Sequence, residues 1–122
     1  MAVSANYRAF VLEQLTQALG ATHARRLFGG IGVFRGSLGF ALVDNDALYF
    51  KVDDHTVGDF EARGMGPFRR FGVGASMRYY EVPADVIEDQ DALRAWAGRA
   101  LLVARRAKRL KRLKSRTAQR GG

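Results

Sequence analysis

Between Leu27 and Val52 the sequence is aromatic, β-branched and punctuated by glycine, and its polar breaks are too short for anything but tight reversals. Arg35-Gly36-Ser37 and Asp44-Asn45-Asp46 carry the residues that accept a positive φ, which a hairpin connection demands. Strands joined in this way run antiparallel. The pattern predicts strands over 26–34, 38–43 and 47–52. Two more are expected near 68–72 and 77–82, split by Gly72-Val73-Gly74-Ala75-Ser76, with Pro83 closing the last.

Helical periodicity flanks this run. Over 6–19, Tyr7, Val11, Leu15, Ala18 and Leu19 share one face, with Ser4 or Asn6 placed to cap it and Gly20 to end it. Residues 56–63 read as a two-turn helix with Val57 and Phe60 on its apolar side, and Gly66-Pro67 blocks its continuation. A short turn over 84–88 leads to Asp89, an N-cap for a long helix from about 91 to 108 or beyond. Leu93, Trp96, Ala97, Ala100, Leu101 and Ala104 form its stripe. The predicted fold class is α+β, a two-layer, five-stranded antiparallel sheet with helices on one face, in the order α-β3-α-β2-α. One such layer of helices buries all three apolar stripes. The other sheet face is expected to be more open, and an open face or edge invites a second chain.

Charge divides the chain. Residues 1–99 hold 11 Lys and Arg and all 12 acids, whereas residues 100–122 hold 9 Lys and Arg and no acid. The expected organisation is therefore a near-neutral domain over 1–104 and a basic tail over 105–122. In helical form, Arg105, Arg109, Arg112 and Arg116 fall on one face, with Lys108 and Lys111 beside them and Arg106 and Lys114 completing the cluster. Such a face meets the phosphates of DNA or RNA without reading bases. Arg outnumbers Lys 16 to 4, as GC-rich coding produces, so a merely solubilising tail is the competing explanation.

Most catalytic chemistry finds no support. With no cysteine, disulfides, thiol nucleophiles and thiolate metal sites are excluded. Phe28-Gly29-Gly30-Ile31-Gly32 lacks the third glycine of a dinucleotide fingerprint and the Gly-Lys-Ser/Thr of a phosphate loop. It reads instead as a tightly packed strand where a Cβ would clash. Asp53-Asp54-His55 reads as the approach to a helix rather than a metal centre, because consecutive side chains diverge. His23 is expected to hydrogen-bond near the end of the first helix. Ser37 lacks the glycine that a nucleophile elbow needs two residues before the serine. Phe40, Phe50 and Tyr80, interleaved with Lys51, Arg69, Arg70 and Arg78, offer a stacking platform for single-stranded nucleic acid. The alternative is that Tyr49-Phe50 and Tyr79-Tyr80 straddle the sheet, one ring on each side. No metal, cofactor or catalytic residue is expected. Neither a leader peptide nor a membrane-spanning run is visible, so the expected location is the cytoplasm.

Four segments together resemble a known family. These are Arg25-Arg26-Leu27-Phe28-Gly29-Gly30-Ile31-Gly32-Val33-Phe34, Leu48-Tyr49-Phe50-Lys51-Val52-Asp53-Asp54, Phe60 through Gly64 to Pro67-Phe68, and Tyr79-Tyr80-Glu81-Val82-Pro83. In this order they resemble the N-terminal domain of the bacterial TfoX/Sxy competence-regulator family, over roughly residues 6–107. The resemblance implies a two-layer antiparallel domain similar to type III secretion chaperones, and a regulator acting with a catabolite-activator-type factor at competence promoters. It implies no catalytic motif. Leu27 stands where the family usually has methionine, and the basic tail stands where full-length members have a second, helical domain.

The expected function is a small non-enzymatic binding module in transcription regulation, with DNA or RNA at the tail. The alternative is a chaperone-like or adaptor protein that binds a protein partner, or a second copy as a dimer, through its sheet.

Overall fold

The computed structural model describes residues 4–27, 29–69 and 78–121, with side chains described as far as 116. The first helix, α1, runs Ala5–Leu19. Four strands follow, β1 His23–Leu27, β2 Gly30–Arg35, β3 Leu38–Asp44 and β4 Ala47–Lys51. Helix α2, Val57–Glu61, precedes β5, Tyr79–Glu81, and helices α3, Ala84–Glu88, and α4, Gln90–Gly121, end the chain. The strands pair in sequence order, all antiparallel, as one five-stranded meander.

The two-layer α+β class holds, but the element order α-β3-α-β2-α does not. Four strands precede α2 and, among the described residues, one follows it. The run expected as a single strand over 26–34 contains a reversal. Leu27 pairs with Gly30, and Gly29 takes φ +79° between them. That turn has apolar neighbours rather than polar ones, so alternation ran through it unmarked. The strand expected near 68–72 and its connector lie largely outside the described residues; Pro67 makes an isolated bridge to Tyr80. The segment 84–88 is a helix rather than a plain turn.

Local chemistry explains the ends. The Ser4 hydroxyl accepts the Tyr7 N–H at 3.2 Å, and Gly20 closes α1 at φ +86°. Asn45 and Asp46 both take positive φ between Asp44 and Ala47, the two-residue reversal expected from their types. Asp89 Oδ1 accepts the N–H groups of Asp91 and Ala92, capping α4. His23 departs from expectation. It opens β1 and its ring stacks on Phe34 at 5.4 Å.

All four helices contribute to one core with the sheet. Val11 and Leu15 of α1, Phe60 of α2, Val86 of α3 and Leu93, Ala97 and Ala104 of α4 meet Val33, Val43, Leu48 and Phe50. The paired aromatics straddle the sheet. Phe50 and Tyr80 face the helices, whereas Tyr49 and Tyr79 join Leu42 and Phe68 in a smaller cluster on the other side. That second face is thus partly covered where an open one was expected. Phe40 and Phe50 are fully buried, which removes the stacking platform. The glycines of β2 are packing positions: a Cβ on Gly30 would lie 2.5 Å from the Val43 carbonyl oxygen, and one on Gly32 would lie 2.7 Å from Leu27.

Candidate functional site

Helix α4 is the longest element, 32 residues and so about 48 Å. It crosses from the apolar stripe into the basic segment without a break in its hydrogen bonding. Its first half is fixed by the core, in which Leu93, Ala97, Ala100 and Ala104 are buried with residues of the sheet and the other helices. The same angular stripe continues through Ala107 to Lys111, so the basic half begins over the end of the sheet that carries Leu38 and Lys51.

The structure sorts the eight cations of this segment into two groups. Arg106 turns inward. Its Nε and Nη2 donate to Asp53 Oδ2 at 2.9 and 2.7 Å. Lys108 donates to the Ser37 hydroxyl at the β2–β3 hairpin tip. Arg105, Arg109, Lys111, Arg112, Lys114 and Arg116 are exposed. Among the described residues no carboxylate pairs with any of those six. Arg105, Arg109, Arg112 and Arg116 line one outward edge, one above the other at helical spacing.

Asp53 is the hub of the inward contact. It follows β4, and its Oδ1 accepts the His55 N–H at 3.0 Å in the turn that leads to α2. Partial burial works to raise its pKa. The hydrogen bonds from Arg106 and His55, together with the Arg106 charge, outweigh burial and hold the carboxyl below the usual carboxylate range. A cleft of about 310 Å³ lies beside the pair, with Arg78, Val103 and Leu110 in its wall. Asp54 and His55 also line it, but no group of metal-binding side chains occurs among the described residues.

Other acids of the domain are engaged locally. Asp54 pairs with Arg78 at 2.8 Å, Asp59 with Arg99 at 3.6 Å and Asp85 with Arg63 at 2.6 Å. The Arg63 hydrogen bond lowers the Asp85 pKa. These contacts consume body acids with body arginines, and among the described residues only Arg106 of the basic segment joins them. The cationic surplus therefore stays on the outer surface of α4.

Sequence reasoning named all eight cations but missed what two of them touch. Asp53 is expected from the sequence at the approach to a helix, and nothing in the linear order marks it as the partner of a residue 53 positions later. Ser37, which lacks the pattern of a nucleophile, instead accepts from Lys108 at the hairpin tip. No helix among the described residues is long and apolar enough to cross a membrane. The family model of the TfoX N-terminal domain matches residues 13–104, from the middle of α1 to the last buried alanine of α4. No curated protein matches the chain.

Proposed function

The chain belongs to the TfoX N-terminal domain family, and on that footing we propose that it is a regulatory module which works by binding, with the outer face of α4 contacting the phosphate backbone of nucleic acid. One observation carries this reading. Arg105, Arg109, Arg112 and Arg116 stand on one exposed helix edge, while the domain's nearby acids are committed to other arginines. Repulsion along such an edge is relieved by a polyanion laid beside it, with release of condensed counterions. Contacts of this kind position a protein on a duplex without reading sequence, so any specificity comes from a partner. A partner factor at promoters suits that division of labour.

The test is salt dependence. Binding of the full chain to a 20-base-pair duplex should weaken linearly in log–log form, with a slope near −3.6 if four phosphates are neutralised. Replacing the four edge arginines by glutamine should bring the slope close to zero and leave the thermal midpoint within a few degrees. No binding by the full chain at about 50 mM salt, or an unchanged slope in the variant, overturns the reading. A dimer in light scattering whose assembly survives the four substitutions, with no DNA binding, favours the adaptor alternative. The β1 edge available to such a dimer carries exposed Arg25 and Arg26, which blunt edge pairing.

A further inference from the structure

A second anion-seeking feature lies on the other side of α4. The β2–β3 hairpin tip, the end of β4 and the fifth to seventh turns of the helix line a cleft of about 320 Å³. The helix contributes Ala104 and Ala107 to its lining, both small, and the β2–β3 hairpin contributes Leu38 and Gly39. Lys51, Lys108 and Lys111 line its walls, three of the four lysines in the chain, with Ser37 at its mouth. No carboxylate is among its lining residues. We propose that this cleft is a binding site for a phosphomonoester dianion, on a small phosphorylated ligand, held by Lys51, Lys108, Lys111 and the Ser37 hydroxyl.

Charge complementarity selects the ligand. Three lysines line one small space and their like charges repel, and a dianion relieves more of that repulsion than the single charge of a backbone diester. Burial, and after it the nearby charge of Lys111, lowers the pKa of Lys51. The Lys51 ammonium is thus partly withdrawn from water, and it also lies 6.0 Å from the centroid of the Tyr79 ring. Asp53, in the adjoining cleft, is taken by Arg106. Ser37 accepts from Lys108, which leaves the hydroxyl's own hydrogen to donate to a ligand oxygen. The volume sits at the small end of ligand pockets, enough for a phosphoryl group with part of the molecule bearing it.

The cleft adjoins the arginine edge, because Ser37, Leu38 and Lys108 also line a second concavity with Arg105, Arg109 and Arg112. At 100° per residue, Ala104, Ala107 and Lys111 lie roughly a third of a turn around the helix from Arg105, Arg109, Arg112 and Arg116. Lys51 and Lys111 line the first concavity and not the second, so variants at these two lysines separate the failure of this proposal from the failure of duplex binding.

The experiment is titration of the full chain with orthophosphate and with adenosine monophosphate, at ionic strength matched with sodium chloride. Lysine ε-methylene resonances and calorimetry are the readouts. Saturable shifts of Lys51 and Lys111 are expected with both probes, and tighter binding of the nucleotide means that more than the phosphoryl group is held. Lys51→Met and, independently, Lys111→Gln should each weaken binding about tenfold, because each removes a charge-assisted hydrogen bond. Lys114→Gln, outside the cleft, should leave it within twofold. Neither K51M nor K111Q should change the salt slope of duplex binding. The proposal is overturned if neither probe produces saturable shifts by 10 mM, if chloride alone produces the same shifts, or if Lys114→Gln weakens binding as much as K111Q. It is also overturned if only oligonucleotides shift Lys51, which would assign the cleft to nucleic acid.

Discussion

Removing the Asp53–Arg106 contact should cost the protein a small, measurable and pH-dependent amount of stability. Two N–H donors of Arg106 converge on Asp53 Oδ2, at 2.9 and 2.7 Å. The side chains keep 42% and 28% of their accessible surface, so water screens the pair and its worth is set near that of a good surface bridge, about 0.5–1 kcal/mol. Asp53 has a second task, since its Oδ1 accepts the His55 N–H at 3.0 Å, a local bond worth about 1 kcal/mol. Arg106→Met should therefore lose about 0.5–1 kcal/mol and Asp53→Ala about 1.5–2 kcal/mol. The double variant should reveal a coupling of about 0.5–1 kcal/mol, read by urea unfolding. At this chain length 1 kcal/mol moves the thermal midpoint by about 3–6 °C. The sign of the pH effect follows from the depressed carboxyl of Asp53. A carboxylate whose folded pKa is lowered stabilises in full above its unfolded pKa, and the gain fades as pH falls through the folded value. The Asp53→Ala penalty should thus be constant above about pH 5 and shrink below about pH 4. A coupling indistinguishable from zero, or equal penalties for the two single variants, would refute the assignment of two roles to Asp53.

Other expectations are read by thermal or urea unfolding. Gly30→Ala should lose about 2–3 kcal/mol, because the new Cβ meets the Val43 carbonyl of the neighbouring strand; a midpoint within about 2 °C of the parent would show that β2 shifts freely. Gly98→Ala should gain up to about 1 kcal/mol, since the site lies inside α4 with nothing within 4 Å of the added methyl; any loss counts against the packing around α4. Leu93→Ala, at a fully buried anchor of α4, should lose about 2–5 kcal/mol, and a loss below 1 kcal/mol would mean that α4 is not held on the sheet as described.

The fold was legible wherever one residue type has one local consequence. Asn45 and Asp46 mark a reversal because they tolerate positive φ, and Gly20 marks the end of α1 for the same reason. Strict alternation puts one ring of each aromatic pair on either side of the sheet, and the structure assigns Phe50 and Tyr80 to the helix side and Tyr49 and Tyr79 to the other. Alternation failed at Gly29 because a hairpin between apolar residues keeps period two on both sides of the turn. The one-residue irregularity at Val33/Phe34 was equally silent, and with it the placement of the Phe34 ring across Gly39, whose absent Cβ would otherwise stand 2.8 Å from it.

The functional surface divides along the same line. Net charge is a sum over positions, so the cationic surplus of the last residues survives without coordinates. Convergence is a product of register and direction. Ala41 pairs with Phe50, so β3 begins and β4 ends at one end of the sheet, which brings Leu38 and Lys51 together. Two-residue reversals at 36–37 and 45–46 make that arithmetic available to anyone who trusts the hairpins. What the arithmetic lacks is where α4 crosses. Helix stripes name the buried face but leave the crossing point open, because Ala97, Ala100 and Ala104 fit any smooth stretch of sheet. The pair Asp53–Arg106 settles it by fixing the helix about half a turn past its last buried residue, Ala104. Lys108 and Lys111 then have to lie over Lys51. A chain that needed only a soluble tail has no reason to bring three lysines around one small space, and that cost in repulsion is what points to an anion.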